Sequence, residues 1–174
     1  WVVYRNSGNC FMLGHTGSYN FHGNGNRFWH NNHAHANVKN GDLWVNGTTT
    51  DGLTQNMPSN LSVVSLRTTG NVSANNFSND RNIGGRCWNG ELGELIIFNY
   101  AMSDQQIQKV EGYLAHKWGL QGLLPVDHKY KTDLPTFGGA QEVVFQPLGD
   151  KTPESTPFQL LAESSSGLPL TFES

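Results

Sequence analysis

The run Glu91–Lys131, ELGELIIFNYAMSDQQIQKVEGYLAHKWGLQGLLPVDHKYK, decides the fold. Its first part reads as a strand over Leu92–Asn99, with Leu95, Ile96, Ile97 and Phe98 as a continuous apolar run. Ser103 is then placed as a helix N-cap, and Gln106, three residues on, closes a capping box. Asp104 sits in the first turn, where a negative charge suits the unpaired N–H groups. Ile107, Val110, Leu114 and Trp118 recur at spacings of three and four, which puts them on one face. Lys117 lies in the last turn, Gly119 is the expected left-handed cap, and Pro125 bars continuation. The pattern predicts an amphipathic helix packed on a sheet, with Leu95, Ile97, Ile107, Val110, Leu114 and Trp118 in one cluster.

Upstream, WVVYR at 1–5 and CFMLG at 10–14 read as strands divided by the turn cluster Asn6-Ser7-Gly8-Asn9. Ser18–Trp29 reads as strand, loop and strand around Phe21, Phe28 and Trp29, and His33–Val38 alternates like a further strand. Asp42–Val45 runs into Asn46-Gly47, a strong hairpin signal. Leu61–Thr68 is the clearest core strand, and Gly70–Gly85 is polar and loop-like. Short strands with one late helix predict an all-β fold, an antiparallel sandwich, in preference to a parallel α/β sheet. Downstream, residues 132–141 hold Pro135, Gly138 and Gly139 and read as a linker. Three strand-like runs follow, Glu142–Leu148, Pro157–Glu163 and Leu168–Glu173.

Charged residues make up 14% of the chain and the net charge is −3, so no basic footprint points to nucleic acid. With a mean hydropathy of −0.48 and no long apolar run, no membrane span is expected in these residues. Cys10 and Cys87 permit one bridge, and the alternative is two free thiols; a pair so far apart is no zinc motif.

Several strings carry a family resemblance. They are Gly90-Glu91-Leu92-Gly93-Glu94, Phe98-Asn99, Val110–Leu120, Leu124-Pro125, His128 and Tyr130-Lys131, with FHGNGN, HAHANVKNG and GGRCWNGELGEL upstream. Together they resemble the C-terminal part of bacterial laminin-G-like domains of the concanavalin A-like lectin/glucanase superfamily. The resemblance covers 1–131 and implies a jelly-roll sandwich with one C-terminal helix, and further strands ahead of Trp1. Residues 142–174, with SSSGLPLTF, resemble the beginning of a bacterial immunoglobulin-like (Ig-like) repeat. Such modules belong to large secreted or cell-surface proteins. The partners implied are a glycan or surface molecule, other segments of the same long protein, or neighbouring copies donating strands by β-augmentation.

Glucanases share this superfamily fold, so hydrolysis is the first chemistry to test. Retaining glycosidases need two carboxyl groups about 5 Å apart, which on a strand means residues two or four apart. Glu91 and Glu94 are three apart, and no Glu-x-Asp-x-Glu pattern occurs, so no enzyme is expected. His30, His33 and His35 form a possible metal cluster, but the simpler reading is a polar rim facing water. The resemblance points to calcium instead, with Asn76, Asn79 and Asp80 as candidate oxygen ligands, although Arg81 beside them opposes a strong cation site.

Binding in such folds is carried by loops on a rigid sheet. The expected recognition surface joins Gly23–His35 with Asn75–Arg81. Asn31, His33, Asp80 and Arg81 would supply hydrogen bonds, and Trp29 the aromatic face for a sugar. The expected function is a non-catalytic glycan-binding or adhesive module. The alternatives are a structural spacer or subunit of an extracellular assembly, and an accessory domain of a glycan-processing enzyme. Burial of Trp29 would favour the structural role.

Overall fold

The computed structural model describes residues 1–8, 12–79, 81–137, 143–145 and 162–164. It divides into two units, Trp1–Pro135 and Thr136–Ser174, with the division inside the predicted linker. The described part is mostly antiparallel strands with few helices, an all-β organisation.

The first unit is built on a five-stranded sheet. In chain order its strands are β1 (Val2–Gly8), β3 (Asp42–Val45), β4 (Thr48–Thr50), β5 (Ser62–Arg67) and β7 (Trp88–Glu94). Their spatial order is β4-β3-β5-β1-β7, with every neighbouring pair antiparallel. Two short strands, β2 (Leu13–Gly14) and β6 (Asn76–Phe77), pair apart from it. The β3–β4 hairpin turns on Asn46 and Gly47 with φ of 50° and 77°, both in the left-handed region that a two-residue turn of this kind demands. The helix α1 (Ala36–Lys39) is short, and α2 (Asp104–Lys117) is the long one.

Both faces of the sheet are covered, and alternation along the strands decides which residue serves which face. Val3 and Val64 point to one side and join Leu43, Met12, Phe21, Phe28, Trp29, Val38 and Trp88 in the larger core. Their neighbours Val2 and Val63 point to the other side and meet Leu114 and Ala115 of α2, with Leu124 from the segment after it. The predicted capping box of α2 is present, with the Ser103 hydroxyl accepting from Gln106 N and the Gln106 side chain from Ser103 N. Gly119, at φ 68°, ends the helix as expected.

A buried pair ties α2 to the tail. Glu111 and His128 are both buried, with Oε2 and Nε2 3.5 Å apart. His128 Nδ1 accepts from Tyr130 N–H, which leaves the ring proton on Nε2, facing the carboxylate. Gly112 allows the close approach, since a Cβ there would stand 2.3 Å from Cβ of Tyr130.

Four expectations are corrected. The strand predicted to reach Asn99 stops at Glu94, where the β1 ladder also stops, at Val2. Among the described residues no strand pairs with the chain beyond it, and Ile97 is 71% exposed instead of in the core. Trp118, also expected in that cluster, is 37% exposed. It lies over Gly93 and its Nε1 donates to Glu94 Oε2 at 2.9 Å, because its polar edge finds a partner only at the rim. His33–Val38 is not a strand: His35 caps α1, its Nδ1 accepting from Asn37 N. Ser18–Trp29 contains no extended strand, only turns and irregular chain with isolated bridges from Arg27 to Asn24 and to Asn56.

In the second unit β8 (Val143–Phe145) pairs antiparallel with β9 (Ala162–Ser164), register Val144 to Glu163. The run Leu168–Glu173 lies outside the described residues.

Candidate ligand-binding site at the loop end

Asparagine side chains stitch the polar loops together. Asn75 exchanges two hydrogen bonds with Thr16, accepting from its N–H at 2.8 Å and donating to its hydroxyl at 2.9 Å. Asn20 is buried and donates to the Ser73 carbonyl at 2.7 Å. Asn37 accepts from the Thr69 hydroxyl through Oδ1 and donates from Nδ2 to the Asn71 carbonyl, while its backbone carbonyl accepts from Thr69 N. The asparagine-rich composition thus does the work of a ladder where no strand pairs: each amide supplies the donor or acceptor that loop backbone lacks.

This stitching brings an aromatic and cationic group together around Tyr19. Its ring is 39% exposed. His33 stacks on it at a centroid distance of 4.9 Å, and the Arg81 guanidinium lies over it at 3.7 Å. His22 meets Tyr19 edge-on at 5.2 Å, and His30 lies 4.4 Å from His33. Lys39 donates to the carbonyl of exposed Asn31, which holds the 31–33 turn against α1. His30 is held below its ordinary pKa, by burial first and then by the neighbouring His33. Arg81 reaches its place from a backbone in the left-handed region, φ 51°, as do Ser78 at 58° and Asn82 at 55°. Non-glycine residues enter that region at some cost, and three within five residues mark a loop fixed by its surroundings.

Of the sequence-predicted site, His33 and Arg81 meet on the Tyr19 ring, Asn31 is exposed two residues before His33 with its carbonyl held by Lys39, and Asp80 lies outside the described residues. Trp29 is a correction. It is 1% exposed and packs in the larger core beside Phe28 and Phe21, so no face is open to a sugar. Its backbone N–H donates to Gly52 O, and its ring occupies the space where a Cβ on Gly52 would sit. Trp88 is buried as well. Tyr19 takes the exposed aromatic position instead, and the only sequence signal for it is the His and Arg residues nearby.

The metal candidates do not assemble among the described residues. Asn76 Nδ2 donates to Asn82 Oδ1 at 3.4 Å, and the Asn79 carbonyl packs on Gly14. His30 Nδ1 accepts from Asn32 N and His35 Nδ1 from Asn37 N, so backbone occupies these nitrogens. No three His, Cys, Asp or Glu side chains among the described residues group to hold an ion. Cys87 is an exposed free thiol, not half of a bridge in this structure, and Cys10 lies outside the described residues. Glu91 is exposed, whereas Glu94 faces α2 and accepts from Trp118 Nε1 and the Lys117 ammonium, both at 2.9 Å. Those bonds hold the Glu94 carboxyl below its ordinary pKa.

No helix among the described residues is long and apolar enough to cross a membrane. No family model, curated protein or solved structure matches the chain.

Proposed function

We propose that this chain is a non-catalytic recognition module of a large secreted or cell-surface protein. On this reading residues 1–131 form a jelly-roll sandwich of the laminin-G-like kind and 142–174 begin an Ig-like domain. The loop end around Tyr19, Asn31, His33 and Arg81 takes a polar ligand, with a glycan as the favoured class. One observation carries the reading. Two loops distant in sequence converge on a single half-exposed aromatic ring, held there by asparagine bonds and three left-handed residues. Planar hydrogen-bonding groups beside an aromatic ring are what a sugar's hydroxyls and apolar face require.

Burial of Trp29 favours a second reading, in which the module is a spacer or subunit of an extracellular assembly. A glycan array probed with the whole chain separates the two. Under the first reading Tyr19→Ala lowers retention at least tenfold and leaves the melting temperature within about 2 °C, because a half-exposed ring carries little of the core. Retention on no glycan, or retention indifferent to Tyr19, leaves the structural reading.

A further inference from the structure

Histidine recurs in one local role along this chain. Nδ1 of His15 accepts from Gly17 N at 3.0 Å, and that of His30 from Asn32 N at 3.1 Å. His35 accepts in the same way from Asn37 N at 3.1 Å, and His128 from Tyr130 N at 3.2 Å. Each bond joins a ring to the backbone N–H two residues on, the turn that asparagine and aspartate make with a side-chain oxygen. A backbone N–H can only donate, so each Nδ1 keeps its lone pair, and the neutral ring carries its proton on Nε2. A second proton would enter at Nδ1, turn the acceptor into a donor and break the turn. Four of the seven histidines thus make bonds that exist only in the neutral form.

Two of the four bracket the segment that carries the candidate site. His30 closes its turn on Asn32 and His35 caps α1 through Asn37, with Asn31 and His33 between them. The segment is also held by Ala34 N to His30 O, His35 N to Asn20 O and the Lys39 ammonium to Asn31 O. Those acceptors are all carbonyls and do not titrate between about pH 5 and pH 8, where imidazole does. The two Nδ1 bonds are therefore where acid acts on this segment.

The groups facing these rings add to that effect. His33 lies 4.4 Å from His30 and His22 lies 5.6 Å from it, while His33 stacks on Tyr19 and Arg81 lies over the same tyrosine. Lys39 stands at the end of α1, one turn on from His35. No carboxylate among the described residues pairs with His30, His33 or His35. Burial, and then His33, hold the His30 ring below its ordinary pKa while the segment is closed. A ring released into water recovers the ordinary value, so the released state binds the proton more readily and acid favours it.

We propose that the segment 30–37 is an acid-releasable clamp on the recognition surface. His30 and His35 each take one proton from solvent at Nδ1, the Asn32 and Asn37 amides are freed, and His33 leaves the Tyr19 ring. The surface is assembled at neutral pH and dismantled near about pH 5, so a bound uncharged glycan is let go on acidification. That consequence for binding rests on the loop-end reading; the clamp itself does not.

The test is an NMR titration of the whole chain, labelled with nitrogen-15, from about pH 7.5 to about pH 5. The ring nitrogens of His30 and His35 should report the Nε2–H form at the upper end. The Asn32 and Asn37 amides should then shift with the midpoints of those two rings, and contacts between the His33 and Tyr19 rings should fall at least fivefold. A variant with both His30→Asn and His35→Asn keeps an acceptor in each turn but cannot titrate, so its amides and its His33–Tyr19 contacts should hold through the same range. Rings that protonate while the native amides and contacts stay in place overturn the proposal. So does an asparagine variant that opens as readily as the native chain.

For binding, an array of uncharged oligosaccharides is probed with both proteins at the two ends of the range. Native retention should fall at least tenfold in acid, and that of the asparagine variant less than twofold. Tyr19-dependent retention that is equal at both ends overturns the control of binding and leaves the loop-end reading intact. Retention that rises in acid also overturns it, by making the protonated rings part of the site. Retention on no oligosaccharide at either end overturns the loop-end reading and the control of binding together, while the titration still decides the clamp.

Discussion

The two faces of the five-stranded sheet are covered by different means. On one, α2 lays Ile107, Leu114 and Ala115 down as a regular stripe, begun by a capping box and ended by Gly119. On the other, Phe21, Phe28 and Trp29 reach the core from turns, with asparagine amides and an α1 turn in place of a periodic element. A helix carries its instructions locally, in spacing and caps. A loop-built layer has them scattered between partners more than fifty residues apart, as with Asn20 and Ser73 or Thr16 and Asn75. The lesson is that an irregular layer can be as well buried as a regular one and leave far less trace in the periodicity.

The sharpest way to break this comparison is Trp29→Ala. If the irregular layer is true core, the substitution should cost about 4 kcal/mol, since transfer energy is lost and a cavity is left against Gly52. The urea midpoint at unchanged slope measures it. A loss under about 1 kcal/mol would mean that the loop layer contributes little and the sheet rests on α2 alone.

Ser103→Ala probes the regular face. It removes the acceptor for Gln106 N and should cost about 1 kcal/mol, recovered in part by Asp or Asn at the same position. Equal stability of the alanine variant would show that tertiary packing, not the cap, sets where α2 begins.

The smallest effect lies at the seam between α2 and β7. Glu94 has its native carboxyl below the ordinary value of 4.5, through its bonds from Trp118 and Lys117. A depressed native value means that the unfolded chain binds the proton more readily. The contribution is therefore complete above about pH 4.5 and is lost as pH falls through the native value. With Lys117 exposed to solvent, that contribution is small. Glu94→Gln should flatten that acid limb of a melting-temperature profile; an identical limb in the variant would assign it to other carboxylates.

Much of the regular half was legible. Ser103 with Gln106, the three–four spacing to Leu114, Gly119, and Asn46-Gly47 each act within a few residues, and the structure has them where local chemistry put them. Most of the misreadings involve competition between distant parts, and one is a local cap. Leu95–Asn99 has the apolar content of a strand, but β-structure needs a neighbour, and the ladder gives out at Glu94. Trp118 fits the helical stripe by spacing, yet its indole N–H is satisfied only at the rim by Glu94. The HAHANV run alternates, but the His35 ring turns back to cap its own backbone, which no strand pattern announces. At the candidate site Asn31, His33 and Arg81 were readable as polar loop residues. That Trp29 would turn inward depends on the space left at Gly52, a position too distant in sequence to signal it.

Arg67 has a consequence for how the end of the sheet is held. One planar group joins Asp42, Met102 and Asp104 and so fixes the end of β5 relative to the start of α2. Its five donors are set in a rigid fork, so the distance between those elements is determined by covalent geometry more than by what lies between them. The conformational entropy of ordering that edge is lost during folding, before any encounter. A change at any one of the three acceptors therefore acts on both elements at once.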